Sequence, residues 1–275
     1  MQLVVSVVLC LWSGGCTVAL QTASEQCTED ADCAALGADF EGTVCIDEVC
    51  QTPPDSRWSC VGKVEQPPAG TMFTASILLN DLLAAKPVTD ATVKLCKKLD
   101  ALCAVPVDTF TPDASGIVEV EVDSSFRGYF DIQAPGFVNV LYFVDTGGVT
   151  GTLTVSMFSP ETSNALNQSI TSDIDPEAGF VNISMVDCNQ ERASGVHFEI
   201  APGDGVTPFY AVGSAASGTA TETDATGNGG FINVTPGTVT VSADLAATGE
   251  MLGAETTLIR KGTLTFQPLR PTPAE

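Results

Sequence analysis

Thr111-Pro-Asp-Ala-Ser-Gly116 runs straight into Ile117-Val-Glu-Val-Glu-Val122, and Thr223-Asp-Ala-Thr-Gly227 stands just ahead of Phe231-Ile-Asn-Val234. In each stretch an Asp able to accept a backbone N–H two residues on is followed, three residues later, by a Gly that tolerates positive φ. Val118, Val120 and Val122 alternate with Ile117, Glu119 and Glu121, the period of two expected of a strand with one buried and one wet face. The two stretches therefore predict the same hairpin device used twice, one copy in each half of the chain. Each copy supplies a single carboxylate, too few for a calcium site, so turn geometry accounts for the Asp.

The rest of the chain continues the pattern. Strand-like runs bounded by turn residues fall at Ala91 to Cys96, Cys103 to Val107, Gly128 to Gln133, Asn139 to Val144 and Thr152 to Phe158. They resume at Phe180 to Val186, Val196 to Ala201, Phe209 to Val212, Thr219 to Thr223, Gly230 to Val234, Thr238 to Ala243 and Thr263 to Phe266. Between the two series, Ser159 can cap a helix and Pro160 suits its first turn, which predicts one helix from Pro160 to about Ile170. The fold class expected is mainly β: two β-sandwich domains with one short helix between them, preceded by a small disulfide-rich module.

The 275 residues divide accordingly into a signal peptide 1–15, a tether 16–26, a Cys-rich module 27–50 and a Pro-rich linker 51–57. A first sandwich 58–146, a connector with the helix 147–179, a second sandwich 180–268 and a tail 269–275 follow. Leu3 to Trp12 is apolar except for Ser6, too short to span a bilayer, and ends in Ser13-Gly-Gly-Cys16; it reads as an export signal. The longest later apolar run, Ala75 to Ala85, is broken by Asn80 and Asp81.

Eleven Lys and Arg against 34 Asp and Glu give a formal charge of −23, spread along the chain. A nucleic acid would be repelled, so no nucleic-acid partner is expected; the bland account is a solvated acidic surface. Of ten cysteines, Cys10 leaves with the signal. Cys96 and Cys103 flank a short loop between two apolar runs, where a hairpin can bring them within disulfide reach. That leaves Cys60 to pair with Cys188. Cys27, Cys33, Cys45 and Cys50 lie too close together to enclose a core and call for cross-links, with three pairings open. Zinc is disfavoured because the module has no CxxC pair and no His.

Ser13-Gly-Gly-Cys16 resembles the lipobox of bacterial lipoproteins, in which the Cys receives a diacylglyceryl group and becomes the new N-terminus. The resemblance implies lipidation of Cys16, a membrane partner through that lipid, and a place in the outer membrane or at the cell surface. The alternative is ordinary cleavage near Ala23, leaving a free secreted protein. Cys27-Thr-Glu-Asp-Ala-Asp-Cys33 and Val44-Cys-Ile-Asp-Glu-Val-Cys50 resemble the small Cys-rich repeats of myxobacterial surface proteins. That likeness implies alternating pairs, Cys27 with Cys45 and Cys33 with Cys50. Trp58-Ser-Cys-Val-Gly62, Ala91-Thr-Val93, the Thr-Asp-x-x-Gly turn, Gly128-Tyr129 and Asn233-Val-Thr-Pro-Gly237 together resemble the carboxypeptidase regulatory-like domain. That domain is a transthyretin-like sandwich of about seven strands without peptidase activity.

A search for chemistry finds little. The single His, His197, lies on a strand with Glu199 on the face opposite Val196, Phe198 and Ile200, the position of an ordinary exposed residue. A lone His cannot build a multi-His metal site, and no nucleophile elbow, HExxH helix or P-loop occurs. No catalytic residue, metal or cofactor is expected. Trp58, Phe126, Tyr129, Phe130, Tyr142, Phe143 and Tyr210 are read as core rather than as a sugar platform. The function expected is that of a non-enzymatic surface lipoprotein, a scaffold or a module for a protein or glycan ligand. The alternative is a glycoside hydrolase using an unidentified carboxylate pair.

Overall fold

The computed structural model describes residues 26–271 except 38–39, 41–42, 47, 52–55, 64–69, 145–150 and 172. The expected signal peptide, Cys16, all of the tether but its last residue, the centre of the linker and the end of the tail lie outside the described residues. The described residues form two compact units, divided between Ser56 and Arg57.

The first unit holds α1 (Asp30–Ala35) and the hairpin β1 (Val44–Ile46) and β2 (Val49–Gln51). The helix α1 was not expected from the sequence. Six residues are too few to be stable alone, and it stands because Asp32 Oδ2 accepts from the Thr28 and Glu29 N–H groups, while Cys33 is tied to Cys50. The acidic run from Glu29 to Asp32 is thus a helix start, and Asp30 also accepts from the Cys45 N–H at 2.9 Å.

Among its described residues the second unit is β apart from one α-helix and a 3-10 turn at Ser56–Trp58, where it begins. Its strands are β3 (Met72–Asp81), β4 (Thr92–Lys97), β5 (Asp108–Phe110), β6 (Ile117–Asp123), β7 (Gly128–Gln133), β8 (Val140–Val144) and β9 (Gly151–Met157). After α2 (Pro160–Ile170) come β10 (Gly179–Met185), β11 (Val196–Ala201), β12 (Thr207–Val212), β13 (Ala215–Ser217) and β14 (Asn228–Val234). The last three are β15 (Gly237–Leu245), β16 (Met251–Ile259) and β17 (Leu264–Leu269).

The two halves repeat one topology. In the first, β3 pairs antiparallel with β6 and parallel with β9, while β4, β7 and β8 run side by side. In the second, β10 pairs antiparallel with β14 and parallel with β17, while β11, β15 and β16 run side by side. β9 lies within the stretch assigned to the connector, yet it completes the first sandwich.

The halves are not separate beads. β17 pairs parallel with β8, Leu264 opposite Val140 and Phe266 opposite Tyr142, so one nine-stranded sheet runs β13-β12-β14-β10-β17-β8-β7-β4-β5. Without this pairing both strands would present an open edge of N–H and C=O groups. The sheet β6-β3-β9 covers one face of the long sheet and β11-β15-β16 the opposite face. Alternation along β17 makes this explicit: Leu269 joins the second core with Val181, Ile183 and Leu252, while Leu264 and Phe266 pack against the first. Trp58, expected to open the first sandwich, is buried in the second core instead.

Two expected strands are absent. Thr219 to Thr223 is irregular, and the short strand falls at β13 instead; Cys103 to Val107 forms the loop entering β5. Two long strands have no expected counterpart, Met72–Asp81, read only as an apolar run, and Met251–Ile259, which has Gly and Ala where alternation would show; the three-residue strands β1 and β2, and β5 in the second unit, are likewise unpredicted.

Candidate functional site

The paired turns come first, because they set the strands. Asp113 Oδ1 accepts from the Ser115 and Ile117 N–H groups at 2.8 and 2.9 Å. Asp224 Oδ1 accepts from the Thr226 N–H at 2.8 Å, and its other oxygen takes the Gly213 N–H. Gly116 (φ 77°) and Gly227 (φ 64°) close the turns in the left-handed region. Their carbonyls accept from Leu79 and Met185, equivalent residues of the first strand of each sandwich, both at 2.9 Å.

The cysteines fall into four disulfides among the described residues: Cys27–Cys45, Cys33–Cys50, Cys60–Cys188 and Cys96–Cys103, with Cα separations of 5.7, 5.5, 5.7 and 5.3 Å. Cys60–Cys188 joins the segment before β3 to the turn after β10, where Arg57 C=O also accepts from the Cys188 N–H.

Cys96–Cys103 closes a loop with an unusual surface. Leu99, Leu102 and Val105 are 97%, 80% and 77% exposed. The backbone beneath them is nevertheless fixed. The Asp100 carboxylate accepts from the Ala104 and Val105 N–H groups, both at 2.9 Å. The Tyr129 hydroxyl donates to Asp100 C=O, and Arg260 Nε donates to Ala101 C=O at 3.0 Å. Arg260 in turn donates to Asp131 at 2.7 Å and to the Tyr129 hydroxyl at 2.8 Å, and Lys98 reaches Glu255 at 3.0 Å. Desolvation raises the Tyr129 pKa. Asp100 is held below the ordinary aspartate range, chiefly by the Val105 N–H.

His197 faces Asp244 across the β11–β15 ladder, with Nδ1 3.2 Å from Asp244 Oδ2. Glu199 completes a group whose ligand atoms lie within 4.8 Å of one another. Sequence reasoning saw the lone His and Glu199 but not Asp244; the register of a distant strand supplies it. The contact with Asp244 gives His197 Nδ1 a hydrogen-bond partner.

Trp58, Tyr129, Phe130, Phe143 and Tyr210 are buried and Phe126 and Tyr142 half-buried, packed in the cores rather than displayed as a platform. The clefts formed by described residues of the second unit include three. One, between α2 and the long sheet, has no charged side chain in its wall; a second has Asp175 as its only carboxylate; a third, beside Lys98, has Glu255 alone. No helix among the described residues is long and apolar enough to cross a membrane.

No protein-family model matches the chain, and no curated protein does. Among solved structures it is similar to the Bacillus anthracis TIE protein, at 10% identity over 74% of this chain and 34% of that one, with a TM-score of 0.27. It therefore spans about a third of that protein's length. It is also similar to the shaft pilin SpaA from Lactobacillus rhamnosus GG, at 11% identity over 74% and 100% of the two chains with a TM-score of 0.25. GBS52, the minor pilin of Streptococcus agalactiae, aligns at 14% identity over 74% and 98% with a TM-score of 0.23.

Proposed function

We propose that the chain is an exported, non-enzymatic surface lipoprotein of carboxypeptidase regulatory-like sandwiches, anchored through a lipid on Cys16, that engages a protein partner by the Cys96–Cys103 loop. The observation that carries this reading is the loop itself. Leu99, Leu102 and Val105 stand in solvent on a backbone that a disulfide, Asp100, Tyr129 and Arg260 hold still. Exposed apolar side chains on an ordered platform bind at low entropic cost, and large apolar groups left in water mark interaction sites.

Other features support the parts of the proposal. Four disulfides suit an oxidising compartment outside the cytosol. The seven strands of the first sandwich, β3 to β9, suit the transthyretin-like domain that the sequence resembles. Fusion of both halves through one sheet favours a stiff carrier over a hinged cleft. Clefts with at most one carboxylate each give a glycosidase pair no support.

Two measurements test the proposal. Wild-type protein should fractionate with membranes, carry lipid mass on Cys16 and be digested by protease added to whole cells; Cys16→Ser should be found in the soluble fraction. Wild-type protein without lipid and starting near Gln21 defeats the anchor. Leu99→Asp/Leu102→Asp should keep the fold and all four disulfides yet lose a cross-linked envelope partner that wild-type protein retains; equal cross-linking by both defeats the loop.

A further inference from the structure

The geometry points to a binding site for a small neutral molecule beneath α2: a benzene-sized apolar body carrying one hydroxyl group. The long sheet leaves one face uncovered beyond the reach of β6-β3-β9, and α2 lies over that face. Between helix and sheet is a cavity of about 140 Å³ walled by Phe158, Phe180, Phe209, Phe266, Leu166 and Ile232. It is open to solvent along one side. An apolar cavity of about this size lined by Leu, Ile and Phe admits benzene, which sets the size of the ligand's apolar body.

Two amides set its head group. Asn167, only 7% exposed, and Asn182 both line the cavity. Asn167 Nδ2 and Asn182 Oδ1 are shielded from solvent and have no hydrogen-bond partner. One is a donor and the other an acceptor, the complement of a hydroxyl that accepts from the first and donates to the second. Asn is a poor choice in the interior of a helix and on a sheet face packed among phenylalanines, and a buried amide group left unmatched destabilises the fold. A pocket that is apolar except for convergent polar groups is the ordinary form of a small-molecule site. No charged side chain lines it, and a chain of net charge −23 repels anions, so the ligand is neutral.

The test is titration of the purified, disulfide-bonded protein with phenol, toluene and benzoate, followed by calorimetry and by the methyl resonances of Leu166, Ile170 and Ile232. Phenol should bind saturably and about tenfold more tightly than toluene, the worth of its hydrogen bonds, and benzoate should not bind. Asn167→Leu should bring phenol to the level of toluene while toluene is unaffected. Should that variant fail to fold, Ala216→Phe, which fills the cavity from its wall, must abolish binding of both. The proposal falls if phenol causes no saturable shift, if phenol and toluene bind equally, or if crystals soaked in phenol hold only water between Asn167 and Asn182.

Discussion

Arg260 donates to Asp131 at 2.7 Å, joining the end of β16 in one sandwich to the middle of β7 in the other. The Asp131 side chain is 3% exposed, and its second oxygen accepts from Gln133 at 3.0 Å. Removing one member strands the other, which for a buried pair costs about 3–5 kcal/mol. Arg260→Met and Asp131→Leu should each lower unfolding stability by that order, measured in denaturant, whereas the double variant should recover much of the loss. Additive losses would show that the two side chains are not coupled.

Cys60 and Cys188 are separated by 128 residues, so their bond constrains a long loop in the unfolded chain. On the chain-entropy account the double Cys60→Ala/Cys188→Ala variant should be less stable by ~5 kcal/mol. Thermal unfolding under non-reducing conditions measures it, and an unchanged Tm would contradict the account.

The turn glycines offer a paired comparison. A Cβ at Gly116 would lie 2.8 Å from Leu79 C=O, and one at Gly227 2.7 Å from Met185 C=O, with both backbones in the left-handed region. Gly116→Ala and Gly227→Ala should each destabilise by about 1–3 kcal/mol. Equal losses are the signature of one turn used twice, and chemical denaturation of the two variants side by side reads it.

Acid should weaken the fold through the turn carboxylates. Hydrogen bonds lower the pKa of Asp224, chiefly from the Thr226 hydroxyl, and of Asp123, chiefly from the Ser125 hydroxyl. Asp100 and Asp32 are lowered mainly by the N–H groups of Val105 and Thr28. Lowered folded-state values mean stability that is fully present above the unfolded aspartate value of about 3.9 and is lost as pH falls through the folded values. Tm should therefore hold steady from neutral pH to about 5 and decline below 4. Asp224→Asn should show its largest deficit near neutral pH and converge on wild type in acid; a deficit independent of pH would assign the loss to shape instead of charge.

Local chemistry was legible in the sequence. Period-two alternation around Val118, Val120 and Val122 marked their strand, Ser159-Pro160 marked the start of α2, and Asp113 with Gly116 marked a turn, because each depends on neighbours a few residues away. Where local cues were weak, reading failed. Met251–Ile259 lacks clean alternation, and α1 stands only because a disulfide and Asp32 support it.

By itself, then, the sequence determined a mainly β chain with one connecting helix, duplicated turns and a stapled N-terminal module, since propensity, turn geometry and cysteine spacing act over short range. Only the tertiary structure decided that β17 pairs with β8, that Trp58 packs in the second core, that Arg260 meets Asp131, that Asp244 stands beside His197, and that Asn167 and Asn182 face one cavity. Those relations join residues far apart in the chain, and they follow from the need to satisfy open strand edges and bury apolar faces, which no local pattern records.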